Sequence, residues 1–169
     1  TLGSRMGKIL QVVQVAKTDT YSESISANSL SSTLVTGLQP SITPASTSNK
    51  ILVMVTLSVG YASNSTGDSM GFLLKRDSTA IARGDADGSR TRLTAGNNFS
   101  STYQIEDLSM TFLDTPSSTS SITYAINLFN GSGSTRDVYL NRDDRNDDAA
   151  YTARGISTIT LMEVAGWLI

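Results

Sequence analysis

KILVMVTLSVGYA, residues 50–62, is the stretch whose reading settles the fold. Successive side chains of an extended chain point to opposite sides, so Ile51, Val53, Val55, Leu57 and Val59 share one face and Leu52, Met54, Thr56 and Ser58 the other. One wholly apolar face beside one mixed face is the signature of a strand that lies over a core. The nearly apolar run Ile51 to Val59 carries Thr56 and Ser58 and is of strand length, far short of the roughly 18 residues a membrane helix needs.

The same period of two recurs on both sides. Upstream, KILQVVQVAKT (residues 8–18) interleaves Val and Ile with Gln and Lys, the composition of a first strand partly open to solvent. Between it and residue 50, DTYSESISANSLSS is polar and Ser-rich. Leu34 and Val35 then lead into GLQPSITP, where Gly37, Pro40 and Pro44 mark turns. This segment is expected to be a long connection with one short strand. Downstream, MGFLLKR and TAIAR flank Asp77 and Ser78 as a hairpin. GDADGSRTRLTAGNNFS then reads as a long Gly/Asn/Asp loop. Leu108, Met110 and Phe112 alternate with Asp107, Ser109 and Thr111, as Ile122, Tyr124, Ile126 and Leu128 do with their neighbours. DVYLN and GISTITLMEV close the series. About eight strands with no helical pattern between them predict an all-β domain, a jelly-roll-like antiparallel β-sandwich over residues 7–165. Residues 1–6 read as a linker or attachment segment and residues 166–169 as an apolar tail.

Composition agrees. At 169 residues the chain is long enough for one core of its own. About a quarter of it is Ser or Thr, well above typical usage and suited to short strands joined by polar loops. Glu occurs only at positions 23, 106 and 163 and Lys only at 8, 17, 50 and 75, too little for amphipathic surface helices. Net charge is −2, and no basic run exceeds Lys75-Arg76, so neither nucleic acid nor membrane insertion is expected. The absence of Cys and His removes disulfides, thiol nucleophiles, Ser-His-Asp systems and His-ligated metals together. No secretory signal is visible, and a start at Thr1 rather than Met points to excision or processing from a longer protein.

The remaining chemistry sits in loops. Tyr61, Tyr103, Tyr139 and Tyr151 lie near strand ends or loops, where a ring either stacks on a sugar or packs into the core; both readings stand at this level. With Asn64, Asp68, Asp85, Asp87, Arg90, Asn97 and Asn98, the residues Tyr61, Tyr103 and Tyr151 make up a set of receptor-binding candidates. They lie in or beside the expected loops 62–69, 84–101 and 141–152. Asp143, Asp144, Asp147 and Asp148 supply hard oxygen ligands close enough in sequence to hold calcium if the loop folds back. The interleaved Arg142 and Arg145 equally allow a salt-bridged loop with no ion. Asp85-Ala-Asp87-Gly88 opens like a calcium loop but lacks the next acidic position and the terminal Glu. Three Asn-x-Ser/Thr triplets, at Asn64, Asn98 and Asn130, are what a Ser/Thr-rich chain yields by chance. Trp167, Leu168 and Ile169 are candidate assembly contacts, since an apolar terminus ordinarily needs a cover. No cofactor other than calcium is suggested.

The strings GKILQVVQV, ITPASTSNKILVMV, GFLLKRDSTAIARGD, MTFLDTPSSTSSITYAI and GISTITLMEV, in that order, resemble a jelly-roll domain of tailed-phage virion structural proteins, particularly of marine and cyanobacterial phages. The resemblance covers residues 7–165. It implies a domain without catalysis on the virion surface, on a tail fibre or knob or on the capsid exterior, often as a homotrimer. Its implied partners are other virion proteins and a host surface glycan or protein. It supplies no site residues. Three functions follow as expectations: a tail-fibre receptor-binding domain first, a capsid decoration or head-fibre protein second, and a glycan-active enzyme with paired acids third.

Overall fold

The strand read from residues 50–62 is the spine of the molecule. The computed structural model describes residues 8–62 and 68–166, and every regular element among them is a strand. In chain order these are β1 (Ile9–Lys17), β2 (Tyr21–Ile25), β3 (Ser29–Leu30), β4 (Ser41–Ile42), β5 (Lys50–Tyr61) and β6 (Ser69–Arg76). They are followed by β7 (Thr79–Ala80), β8 (Ala95–Asn98), β9 (Glu106–Asp114), β10 (Ile122–Asn130), β11 (Arg136–Leu140) and β12 (Ser157–Val164). The expected all-β antiparallel sandwich is present. It has more strands than the eight or so expected because β3 is an added two-residue pairing and the supposed loops contain β2 and β8.

Two six-stranded antiparallel sheets face each other. In the first, β9 pairs with one edge of β5 (Ile51 opposite Asp114, Val59 opposite Glu106), while β12 and then β11 follow one another along the other edge. β1 flanks β12 and β2 flanks β11. In the second, β10 and β6 form the centre, β3 and β4 share the free edge of β10, and β7 and β8 share that of β6. The odd positions of β5, from Ile51 to Tyr61, meet Phe72, Leu74, Tyr124, Ile126 and Leu128 in a single core cluster. β10 is buried on both faces from Tyr124 onward, which is why its sequence lacks the alternation of a half-exposed strand.

Two departures from the sequence reading have physical causes. YSESI is not a loop: Tyr21, Glu23 and Ile25 turn inward and Ser22 and Ser24 outward along β11, a true period of two hidden by its polar members. The connection expected to hold one short strand holds β2, β3 and β4, and between the last two the Val35 N–H donates to the Ile126 carbonyl beside β10.

The outer face of the first sheet is ordered by register into three rows across β1, β12, β5 and β9. The first row is Val12, Met162, Leu52 and Leu113; the second Gln14, Thr160, Met54 and Thr111; the third Ala16, Thr158, Thr56 and Ser109. No member of these rows is charged.

Buried polar groups fasten the edges. Glu163 on β12 is 1% exposed. It accepts from Asn49 Nδ2, from the Ala45 N–H at 2.7 Å and from Gln11 Nε2 at 2.6 Å, so it ties β1 and the β4–β5 connection to the last strand. Burial raises its pKa, but these bonds outweigh that and hold the carboxyl below the usual glutamate range. Asn49 Oδ1 in turn accepts from the Gly166 N–H at 2.9 Å.

Candidate functional site

Beyond Thr56 the outer face of β5 is not bare. The connection from β11 to β12, residues 141–156, crosses it as a strap. Gly60 points outward here, and a Cβ on it would lie 2.1 Å from the Arg142 carbonyl oxygen. A Cβ on Gly155 would lie 2.2 Å from Ser58 Oγ. Only glycine lets the strap lie this close. Asn141 starts it in the left-handed region (φ 64), which asparagine tolerates better than most residues. Its amide donates to the Lys17 and Asp19 carbonyls, both at 2.8 Å, and its Oδ1 accepts from Ser157 Oγ at 2.8 Å. The Asn141 N–H donates to the Ser58 carbonyl, and the Gly155 N–H to the Asn141 carbonyl. Both ends of the strap are thereby pinned to the sheet.

At the start of the strap the four charges Arg142, Asp143, Asp144 and Arg145 each have a partner. The Arg142 guanidinium stacks on the Tyr139 ring at 3.8 Å and donates to the Asp143 and Asp144 carbonyls. Tyr139 donates its hydroxyl to Asp144 Oδ1 at 2.6 Å. Burial, then this bond, pushes the Tyr139 pKa well up. Asp143 is buried and accepts from Arg145 Nε and Nη2 at 3.1 and 2.7 Å and from the Asn146 N–H. Burial raises its pKa, but the Arg145 and Asn146 bonds dominate and hold it below the usual aspartate range. The Asp144 N–H donates to the Thr102 carbonyl, which joins the strap to the segment 99–105 ahead of β9.

That junction assembles an exposed platform. The Arg145 guanidinium lies 4.4 Å from the Tyr103 ring centre and 5.2 Å from that of Tyr151. The two rings are 62% and 68% exposed. The cation, fixed by Asp143 beneath, sets the spacing of two open aromatic faces. Beside Tyr151 an open depression of about 310 Å³ is lined by Asn146, Asp147, Asp148, Ala149, Thr152 and Arg154. Thr152 Oγ1 donates to the Asp147 and Ala149 carbonyls, and Arg154 Nη2 to Asn146 Oδ1 at 2.6 Å, so its wall is hydrogen-bonded to itself.

The structure sorts the sequence candidates. Tyr103 and Tyr151 come together on the platform. Tyr61 is corrected: it occupies the next inward position of β5, is fully buried edge-on to Phe99, and donates its hydroxyl to Asn130 Oδ1. Burial pushes its pKa up to about 12. It packs the core and cannot stack on a ligand. Tyr139 is covered by Arg142 in the same way. Asp68 pairs with Arg136 at 3.8 Å, and its carbonyl accepts from the Phe99 N–H. Asp85, Asp87 and Arg90 lie on a separate exposed loop, where Arg90 bridges Asp87 at 2.7 Å. Asn97 and Asn98 are exposed on β8, which pairs with β6; the expected loop 84–101 thus contains a strand. Asn64 and the assembly candidates Trp167, Leu168 and Ile169 lie outside the described residues, as does the segment 1–6.

The calcium candidates Asp143, Asp144, Asp147 and Asp148 are placed apart in function. Among the described residues no three acidic groups converge as a metal site. Asp143 faces Arg145, Asp144 takes the Tyr139 hydroxyl, and Asp147 and Asp148 line the depression. Arg145 was visible in sequence only as a neutralising charge; its place between two rings follows from the Asp144–Thr102 link, which no local pattern encodes. No family model matches the chain, and no curated protein matches it in sequence.

Proposed function

We propose that this chain is a non-enzymatic surface domain of a tailed-phage particle, working as a tail-fibre or receptor-binding domain. Its Tyr103–Arg145–Tyr151 platform contacts carbohydrate on the host surface. The observation that carries the recognition step is the pair of open tyrosine faces spaced by one buttressed guanidinium. Sugar rings present C–H faces that stack on aromatics and hydroxyls that bond to neighbouring polar groups. Tyrosine gives such contact at little entropic cost, since it has only two side-chain torsions to fix. The adjacent depression adds carboxylates, an amide and a guanidinium within reach of a second sugar. The virion part of the reading rests on the resemblance of residues 7–165.

Two experiments test the two parts. A glycan array probed with the purified chain is expected to give hits that weaken about tenfold or more in a Tyr103→Ala/Tyr151→Ala double variant, from two lost stacking contacts. Both rings are solvent-exposed, so the variant keeps its melting temperature. Hits that the variant leaves intact would remove the platform from the mechanism. Electron microscopy of particles labelled with an antibody to the chain is expected to show signal at fibre tips. Signal spread over the head would replace host attachment with shell decoration.

A further inference from the structure

We infer that the outer face of the first sheet, between Lys50 and the strap, is where a second copy of this chain docks. This surface is distinct from the carbohydrate platform and does not depend on it. Three apolar side chains stand well exposed there: Val12 at 56%, Leu113 at 47% and Met54 at 40%. Val12 and Leu113 end one continuous row across four strands. The outward positions of β10, by contrast, are buried within the molecule itself: Ala125, Asn127 and Phe129 are 1%, 4% and 7% exposed. The described residues cover one of the two sheets and leave this face of the other open.

Charge and area identify the occupant. The sequence carries 13 basic and 15 acidic residues, yet none falls in the three rows, whose remaining members are Thr, Ser, Gln and Ala. A charged partner would find no counter-ion there and would lose its hydration. A copy of the same face brings no charge, and hydroxyls and amides can bond to their own kind in either sense. Four strands about 4.8 Å apart and three rows about 6.8 Å apart give roughly 400 Å² per copy. That is in the range of a functional patch and about half the area of a standard stable interface on one partner. The association is therefore weak and concentration-dependent. Sheets stack about 10 Å apart. A two-fold axis parallel to the strands sets the apolar row of one copy on that of the other, with Val12 facing Leu113 across the axis.

Sedimentation velocity on the intact chain from micromolar to millimolar concentration tests this. The expected result is a species of two or more copies at high concentration that Leu113→Lys and Met54→Lys each weaken at least ~10-fold, while Thr79→Lys in the β6–β7 hairpin does not. Matched melting temperatures show that the variants fold. The chain has no cysteine, so a Val12→Cys/Leu113→Cys variant provides a second readout: facing Cα atoms about 10 Å apart are too distant for a direct disulfide, but a short bis-maleimide reagent is expected to link two copies, and Thr79→Cys is not. A monomer at every concentration, or an oligomer that both lysine variants leave intact, would overturn the inference.

Discussion

Replacing Glu163 by Gln should cost more than any exposed substitution, and the cost should depend on pH. The carboxylate is 1% exposed and takes three hydrogen bonds from neutral donors, Asn49 Nδ2, the Ala45 N–H and Gln11 Nε2. Glutamine keeps one acceptor and sets an NH₂ against a donor. The Gln11 amide can reverse to accept from it, but then gives up its own 2.8 Å bond to the Thr43 carbonyl. The net loss is about one charge-assisted bond, on the order of 2 kcal/mol. For a chain of this length that is about 4–8 °C in Tm. Glu163→Ala, which leaves three donors short, should cost about 3–5 kcal/mol. Because the folded carboxyl titrates below its ordinary value of 4.5, its contribution is fully present above that pH and drains away as pH falls through the lower folded value. Urea unfolding of wild type and Gln variant should therefore give a gap that is constant near neutrality and narrows below about pH 4.5. Equal stability at pH 7, or a gap that holds its size into acid, would refute the reasoning.

Other expectations can be read from the strap and core. Gly60→Ala drives a methyl into the Arg142 carbonyl; overpacking of about 1–3 kcal/mol is expected, together with a drop in carbohydrate binding, by calorimetry on the same sample. Asp143→Asn removes the acceptor that fixes Arg145. It should loosen both tyrosines and weaken binding, with the wild type showing the same loss as pH falls below the ordinary aspartate range. Tyr61→Phe removes the hydroxyl held by Asn130 and should lower stability by about 1–2 kcal/mol while leaving binding unchanged, which separates the core tyrosine from the exposed pair.

What the sequence disclosed and what it withheld divide along one line. β5, β9 and β12 were legible because one face is buried and the other is not, so burial writes a period of two into them. That same parity, carried two residues past Val59, places Tyr61 inward; its position at a strand end drew attention away from a signal that was present. β8 was illegible for a physical reason. AGNN has no preference for a strand and is held only by β6, four residues that pair because their neighbour does. The platform was half legible. Exposed tyrosines in polar loops are visible, but the backbone bond between Asp144 and Thr102 joins segments some forty residues apart and leaves no trace in either one. Buried Asn130, Asn141 and Glu163 look in sequence like any surface polar residue.

The strap is rooted by Gly60, Asn141, Gly155 and Ser157, and none of its residues belongs to the hydrophobic core cluster, which resumes only at Ile159. If the platform binds carbohydrate as proposed, most of the residues that touch it lie outside the core that holds the fold. Positions 146–153 can be exchanged wholesale, as in a display library, while the roots keep presenting whatever replaces them at the same height above the sheet. A domain arranged this way can change what its strap presents without having to find its fold again.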